Sequence, residues 1–290
     1  MIVIRAKVLG FCMGVRRAMD MADAALSREA PVYAVGPLIH NSQAMEGLKE
    51  RGLRILDERR LPKDLGASFA IIRAHGITPR LEEELVRRHA VIVDATCPKV
   101  KTSQLKARSL CEEGRRVFLA GERRHAEIIG IQGYAPNCIV VGTPAEAAAA
   151  AEKLFSEEPE AMTALIGQTT GDPAEYKSIE ENIRAFFPGL LVLNTICGAT
   201  ESRQDSLRKL CAQVDAVVVA GGRESANTRR LLAIAKASAP GSRGKPAWLV
   251  EKADEIPGEA GAYRTVGLCA GASTPDGLID AIEQGLLNLG

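Results

Sequence analysis

Three cysteines, Cys12, Cys97 and Cys197, each stand where an apolar run gives way to a helix-like stretch, and the chain repeats itself around them. Twenty-four residues beyond each lies a glycine: Gly36, Gly121 and Gly221. Twenty-eight beyond lie His40, His125 and Ser225; fourteen beyond lie Leu26, Cys111 and Cys211. The registers agree without a gap. A cysteine just ahead of a helix has its thiolate favoured by the positive end of the helix dipole. Three such thiols imply a trigonal sulfur site with one coordination position open, the pattern of catalytic rather than structural metals. Soft sulfur ligands suit zinc or an iron–sulfur cluster. The local spacing is neither that of a zinc ribbon nor that of a ferredoxin, since no C-x-x-C occurs. The repeat carries the argument.

Polar groups gather at matching places. His40, His75 and His125 fall at strand-to-loop exits, as do Thr169 or Thr170 and Ser273. Asn41, Ser42, Glu127, Ser225 and Asn227 lie at or beside the +28 positions. Such groups donate several hydrogen bonds to an anion without needing a basic pocket. Glu127 is the one carboxylate expected on this rim, and a carboxyl beside an open metal position is a natural proton donor. Cys111 and Cys211 share a slot that the first repeat fills with Leu26, so they are read as core. Cys138 and Cys269 lack repeat partners and are read as packing residues, and His89 as incidental.

The elements that would position these residues follow one plan. Each cysteine is preceded by a strand-like run (IVIRAKV, HAVIVDAT, LLVLNTI) and followed by a helix pattern. Then come the short apolar strands VYAV, VFLA and VVVA, each ending at the +24 glycine. A further strand lies in SFAIIRAHG, MTALIGQTT and YRTVGLCAGAS. Strands alternating with helices predict parallel α/β units, whose ligands bind beyond the carboxyl ends of the strands. The expected fold is three similar α/β lobes in a cloverleaf around a central cavity. Their expected boundaries are 13–96, 97–196, and 197–290 joined by 1–12, as one cooperative unit. The stretch EAAAAAEKLFSEEPEA reads as a surface helix and APGSRGKP as a loop.

Composition narrows the function. The chain has 290 residues, with 37 Lys and Arg against 36 Asp and Glu, so it lacks the basic excess of nucleic-acid or membrane-surface binders. Aromatic residues, at 4%, are too few for a base-stacking platform. No apolar run approaches the roughly 20 residues of a membrane span, so a cytoplasmic location is expected. Seven cysteines there are free thiols rather than staples. No P-loop is present, and no G-x-G-x-x-G follows a strand, so a nicotinamide or flavin cofactor is not supported.

The stretches GFCMGVRRA, GPLIHN, RAHG, DATCPKV, HAE, GQTT, NTICGATESRQ, ESANTRRL and AGASTPD, in this order, span residues 10 to 276. Together they make the chain resemble the 4-hydroxy-3-methylbut-2-enyl diphosphate reductases of the methylerythritol phosphate route to isoprenoids. The resemblance implies a [4Fe–4S] cluster held by Cys12, Cys97 and Cys197, with one iron facing the substrate. It places the diphosphate among His40, His75, His125, Thr170, Ser225, Asn227 and Ser273. It assigns the acid to Glu127, with Thr169 near the substrate hydroxyl, and implies a ferredoxin or flavodoxin as electron donor. The chain departs from the family pattern at Glu224 and Ala226, where Asn and Ser are common. It also has Ala126 in place of Pro and Gly277 in place of Trp. A zinc hydrolase or lyase using the same thiolates, and a non-enzymatic iron–sulfur sensor, are the alternatives.

Overall fold

The computed structural model describes residues 1–238 and 245–289. Of the loop expected at 239–246, all but Lys245 and Pro246 lies outside the described residues. The chain opens with β1 (Ile2–Arg5), α1 (Met13–Leu26), β2 (Val32–Val35), α2 (Ser42–Glu50) and β3 (Leu53–Leu56). Then come β4 (Phe69–Ile72), α3 (Pro79–Arg87) and β5 (Val91–Asp94). The middle of the chain holds α4 (Pro98–Glu112), β6 (Arg116–Ala120), α5 (Ala126–Tyr134) and β7 (Ile139–Val141). It continues with α6 (Pro144–Glu157), β8 (Thr163–Gly167), α7 (Pro173–Arg184) and β9 (Leu191–Val192). The last part holds α8 (Gly198–Cys211), β10 (Ala216–Ala220), α9 (Ala226–Ala237), β11 (Ala247–Val250), β12 (Thr265–Ala270) and α10 (Asp276–Leu287).

The strands form three four-stranded sheets, ordered β3-β2-β4-β5, β7-β6-β8-β9 and β11-β10-β12-β1. Every pairing is parallel. The expectation of parallel α/β units is borne out. One permutation serves all three: the strand after a cysteine-led helix lies second, its successor forms the edge, and the next two complete the other side. In the third sheet the closing strand is β1, paired with β12 from Ile2↔Thr265 to Arg5↔Leu268. Strands covered on both faces should be apolar throughout rather than alternating. All five residues of β8 and of β10 are buried.

Helix boundaries follow local chemistry. α3, α6 and α7 begin at Thr78, Thr143 and Asp172, whose side chains accept backbone N–H groups of the first turn. A proline follows each cap, where its missing N–H costs nothing. The stretch read as a surface helix is α6, which buries Ala147, Ala151 and Leu154 along one face. Among the described residues, no helix is long and apolar enough to cross a membrane.

Two compact units result. One comprises Met1–Arg16, Ile39–Glu50 and Gly198–Gly290, and contains the sheet closed by β1. Its sheet is packed on one side by Leu207, Leu210 and Leu231 and on the other by Leu278, Ile279 and Ile282. The second comprises Arg17–Leu38 and Arg51–Cys197, and contains the other two sheets.

Candidate active site

Each of the three cysteines immediately precedes a helix: Cys12 α1, Cys97 α4 and Cys197 α8. Each also makes the same backbone bond. Cys97 N–H donates to Ala74 O at 2.9 Å, Cys197 N–H to Thr169 O at 2.9 Å, and Cys12 N–H to Ala272 O at 3.0 Å. The accepting carbonyls lie in the loops that leave β4, β8 and β12. The residues after them are His75, Thr170 and Ser273. The bond therefore aligns Thr170, rather than Thr169, with His75 and Ser273. In each loop a tight turn follows, closed by Gly76 N–H to Arg73 O, Gly171 N–H to Gln168 O, and Thr274 N–H to Gly271 O.

The +24 glycines terminate β2, β6 and β10, where a Cβ has no room. At Gly121 it would lie 2.5 Å from Ile128 Cδ1 and 2.8 Å from Gln168 Oε1. At Gly221 it would lie 2.7 Å from Thr274 Oγ1, and at Gly36 it would run into Arg73. Just beyond, the ungapped register fails by one residue. His125 and Ser225 are the caps of α5 and α9, accepting the N–H groups of Glu127 and Thr228. In the first repeat that role falls to Asn41, whose Oδ1 accepts Ala44 N–H at 2.9 Å. His40 stands one residue earlier, and its carbonyl accepts Ser273 Oγ–H at 3.0 Å.

In the second unit, Glu127 lies in the first turn of α5 and is only 1% exposed. Both oxygens are held by one residue: Thr169 N–H donates to Oε1 at 2.7 Å and Thr169 Oγ1–H to Oε2 at 2.8 Å. Burial penalises the charged form and outweighs these bonds, so the carboxyl pKa is pushed up to about 7. His125 Nδ1 accepts Glu127 N–H at 3.2 Å, so a neutral ring carries its proton on Nε2. The rings of His75 and His125 meet edge to face, with centroids 5.2 Å apart. Gln168, which no repeat offset singles out, accepts Glu122 N–H at 3.0 Å and donates to Thr170 Oγ1 at 2.8 Å. Its signal in the sequence is the GQTT stretch itself.

In the first unit, Ser225 and Asn227 are buried at the start of α9, and Asn227 Nδ2 has no partner among the described residues. Glu224 is exposed, while Ala226 is buried in the first turn. Cys12, His40 and Ser273 belong to the same unit. His89 is exposed, with Asp64 Oδ1 3.3 Å from its ring.

Comparison with known proteins matches residues 3–287 to the LytB protein family. This chain belongs to the LytB family. A relative from Treponema denticola, named 4-hydroxy-3-methylbut-2-enyl diphosphate reductase, is 43% identical over 99% of both chains. One of the same name from Aquifex aeolicus is 35% identical, covering 97% of this chain and 94% of its own. A solved (E)-4-hydroxy-3-methyl-but-2-enyl diphosphate reductase, described as the terminal enzyme of the non-mevalonate pathway, superposes with a TM-score of 0.70. It is 35% identical and covers 99% of this chain and all of its own. The structure of E-1-hydroxy-2-methyl-but-2-enyl-4-diphosphate reductase from Plasmodium falciparum gives 0.88 at 25% identity, covering 99% and 87%. The expected family resemblance is borne out.

Within this LytB-family chain the sulfurs fall into two groups by their surroundings. None of the seven cysteines forms a disulfide among the described residues. Cys211 and Cys269 sit in one apolar core, and Cys111 and Cys138 pack against another. Burial raises the pKa of all four thiols, Cys138 to about 11. Cys12, Cys97 and Cys197 are half-buried at helix starts. A donor set of soft, partly exposed thiols at the positive ends of helices fits an iron–sulfur cluster.

Proposed function

We propose that this oxidoreductase converts 4-hydroxy-3-methylbut-2-enyl diphosphate to isopentenyl and dimethylallyl diphosphate. Two electrons and two protons enter, the C–O bond to the hydroxyl breaks, and water leaves. Cys12, Cys97 and Cys197 would hold the metal group. Bound there, a [4Fe–4S] cluster would supply the two electrons, drawn in turn from a ferredoxin or flavodoxin.

The protein's own part is proton supply and anion binding. Glu127 gives the proton that turns the departing hydroxyl into water. Its pKa of about 7 keeps much of it protonated at neutral pH, where an ordinary carboxyl would be empty. Thr169 orients that carboxyl and shares its proton network. The diphosphate is assigned to His40, His75, His125, Thr170, Ser225, Asn227 and Ser273. Helix starts at His125 and Ser225 favour anions through the positive ends of the helix dipoles.

The observation that carries this reading is the continuity between acid and ligand. Thr169 binds Glu127 through its N–H and hydroxyl, while its carbonyl accepts the N–H of Cys197. The proton source is thereby tied, through one residue, to the backbone of a metal ligand. Anaerobic turnover of the hydroxylated diphosphate with reduced flavodoxin or dithionite and viologen tests the proposal. Product diphosphates that depend on Cys12, Cys97, Cys197 and Glu127 are expected. A colourless, zinc-loaded chain without such turnover would overturn it.

A further inference from the structure

The approaches to the three cysteines are held by different means. Three residues before Cys97, Asp94 Oδ1 accepts Thr96 N–H at 3.0 Å, while Asp94 Oδ2 lies 3.2 Å from Lys101 Nζ. Arg17 adds two bonds, to the carbonyls of Asp94 and Thr96, each at 3.2 Å. Three residues before Cys197, Asn194 Oδ1 accepts Ile196 N–H at 3.0 Å. Thr195 also exchanges two bonds with Gly167, its hydroxyl accepting from N–H and donating to O. Both arms therefore use an Asx turn, in which a short polar side chain bonds the backbone two residues on.

The matching position before Cys12 is Leu9, which has no side-chain oxygen and packs against the apolar cores instead. The chain turns there through Gly10 at φ +78°, where a Cβ would lie 3.0 Å from Asp276 Oδ1. α8 holds this arm from one face. Arg203 Nη2–H donates to Gly10 O at 2.6 Å, and Ser206, three residues on, accepts Val8 N–H at 3.0 Å. Arg203 is 3% exposed. A guanidinium that deep is costly unless its donors are used. Here a charge-assisted bond to a backbone carbonyl is set two residues from a metal-binding thiol.

We propose that Arg203 is the positioning residue for Cys12. It takes the place of the Asx turn used on the other two arms and fixes the direction in which Cys12 offers its sulfur. The inference rests on Cys12, Cys97 and Cys197 being the ligand set. Residues that orient metal ligands without touching the metal commonly change metal affinity by about 10–100-fold when altered.

The test uses the full chain, purified anaerobically, with Arg203→Gln, Arg203→Lys, Gly10→Ala and Arg17→Gln. Each is assayed for iron and sulfide content and for cluster lifetime under chelator. Each is also assayed, metal-free, for the iodoacetamide alkylation rate of every cysteine by mass spectrometry. Arg203→Gln is expected to speed alkylation of Cys12 severalfold, leave Cys97 and Cys197 at wild-type rates, and shorten cluster lifetime by at least tenfold. Arg203→Lys should recover part of both losses. Arg17→Gln should do little, because Asp94 and Lys101 still hold the Cys97 arm. If Arg203→Gln does not fold, Gly10→Ala decides, since it displaces the same turn with the guanidinium in place. Wild-type Cys12 reactivity and cluster lifetime would overturn the proposal, as would equal acceleration at all three cysteines, which marks general loosening. A wild-type chain that holds no iron would instead overturn the ligand assignment, and the alkylation pattern would still report on the arm.

Discussion

Thr169 grips the Glu127 carboxyl with two of its own groups, a backbone N–H at 2.7 Å and a hydroxyl at 2.8 Å, in a site closed to solvent. Both bonds favour the charged form, yet burial prevails and the pKa stands at about 7. An acid poised there can donate at neutral pH and be refilled.

Replacing Glu127 with Gln should lower turnover by about two orders of magnitude while sparing the cluster's absorption spectrum. The wild-type rate should fall as pH rises through about 7, where the carboxyl loses its proton. That descending limb should be missing from the residual activity of the variant. A pH–rate profile of both proteins decides the matter.

The same carboxyl links stability to pH. Its folded pKa is raised above the ordinary 4.5, so its stabilising contribution is full below about 4.5 and is lost as pH rises to about 7. Over that window the wild type should lose roughly 3 kcal/mol relative to Glu127→Gln, the free-energy equivalent of moving the pKa from 4.5 to about 7. Anaerobic urea melts at several pH values measure the difference. A gap that does not change with pH would put the pKa near its ordinary value.

Thr169→Val removes one of the two bonds that favour the carboxylate and keeps the side-chain volume. The Glu127 pKa should climb further, moving the descending limb of the rate profile to higher pH. A limb shifted downward would mean that the hydroxyl donates elsewhere.

Cys12→Ser, Cys97→Ser and Cys197→Ser should each abolish iron retention, whereas Cys111→Ala and Cys211→Ala should keep it. The second pair should lose only packing, about 1–3 kcal/mol by denaturant melts. Iron and sulfide counts after anaerobic purification separate the groups.

Ala226 fills a buried first-turn position of α9 between Ser225 and Asn227. Ala226→Ser should add one bond to a bound diphosphate and lower KM by up to roughly tenfold with kcat nearly unchanged. Glu224 is exposed, so Glu224→Asn should have little effect. Steady-state kinetics on both variants provide the check.

Much of this was legible because β8 and β10 are covered on both faces, so ALIG and AVVVA are runs without a polar side chain. The edge strands β3, β7 and β11 have only three or four residues each, too few for a period to declare itself. Counting from the cysteines located the helix starts, the +24 glycines and Glu127. It could not separate His40 from Asn41, because one extra residue between Gly36 and the cap leaves both polar residues near the same offset. Arg203 was hidden for another reason. Its partner is a backbone carbonyl far away in sequence, and no side-chain pattern records such a bond.

The pairing of β1 with β12 has a consequence for synthesis. Ile2 leaves the ribosome long before its neighbour, Thr265, has been made. Cys12 must likewise wait for Ala272. The other two sheets can close as the polypeptide emerges, while the leading segment stays an open edge with nothing to template it. On the proposed ligand set, the Cys12 arm takes its final place only after Ala272 is made, and a nascent chain stalled before residue 265 is expected to hold no cluster.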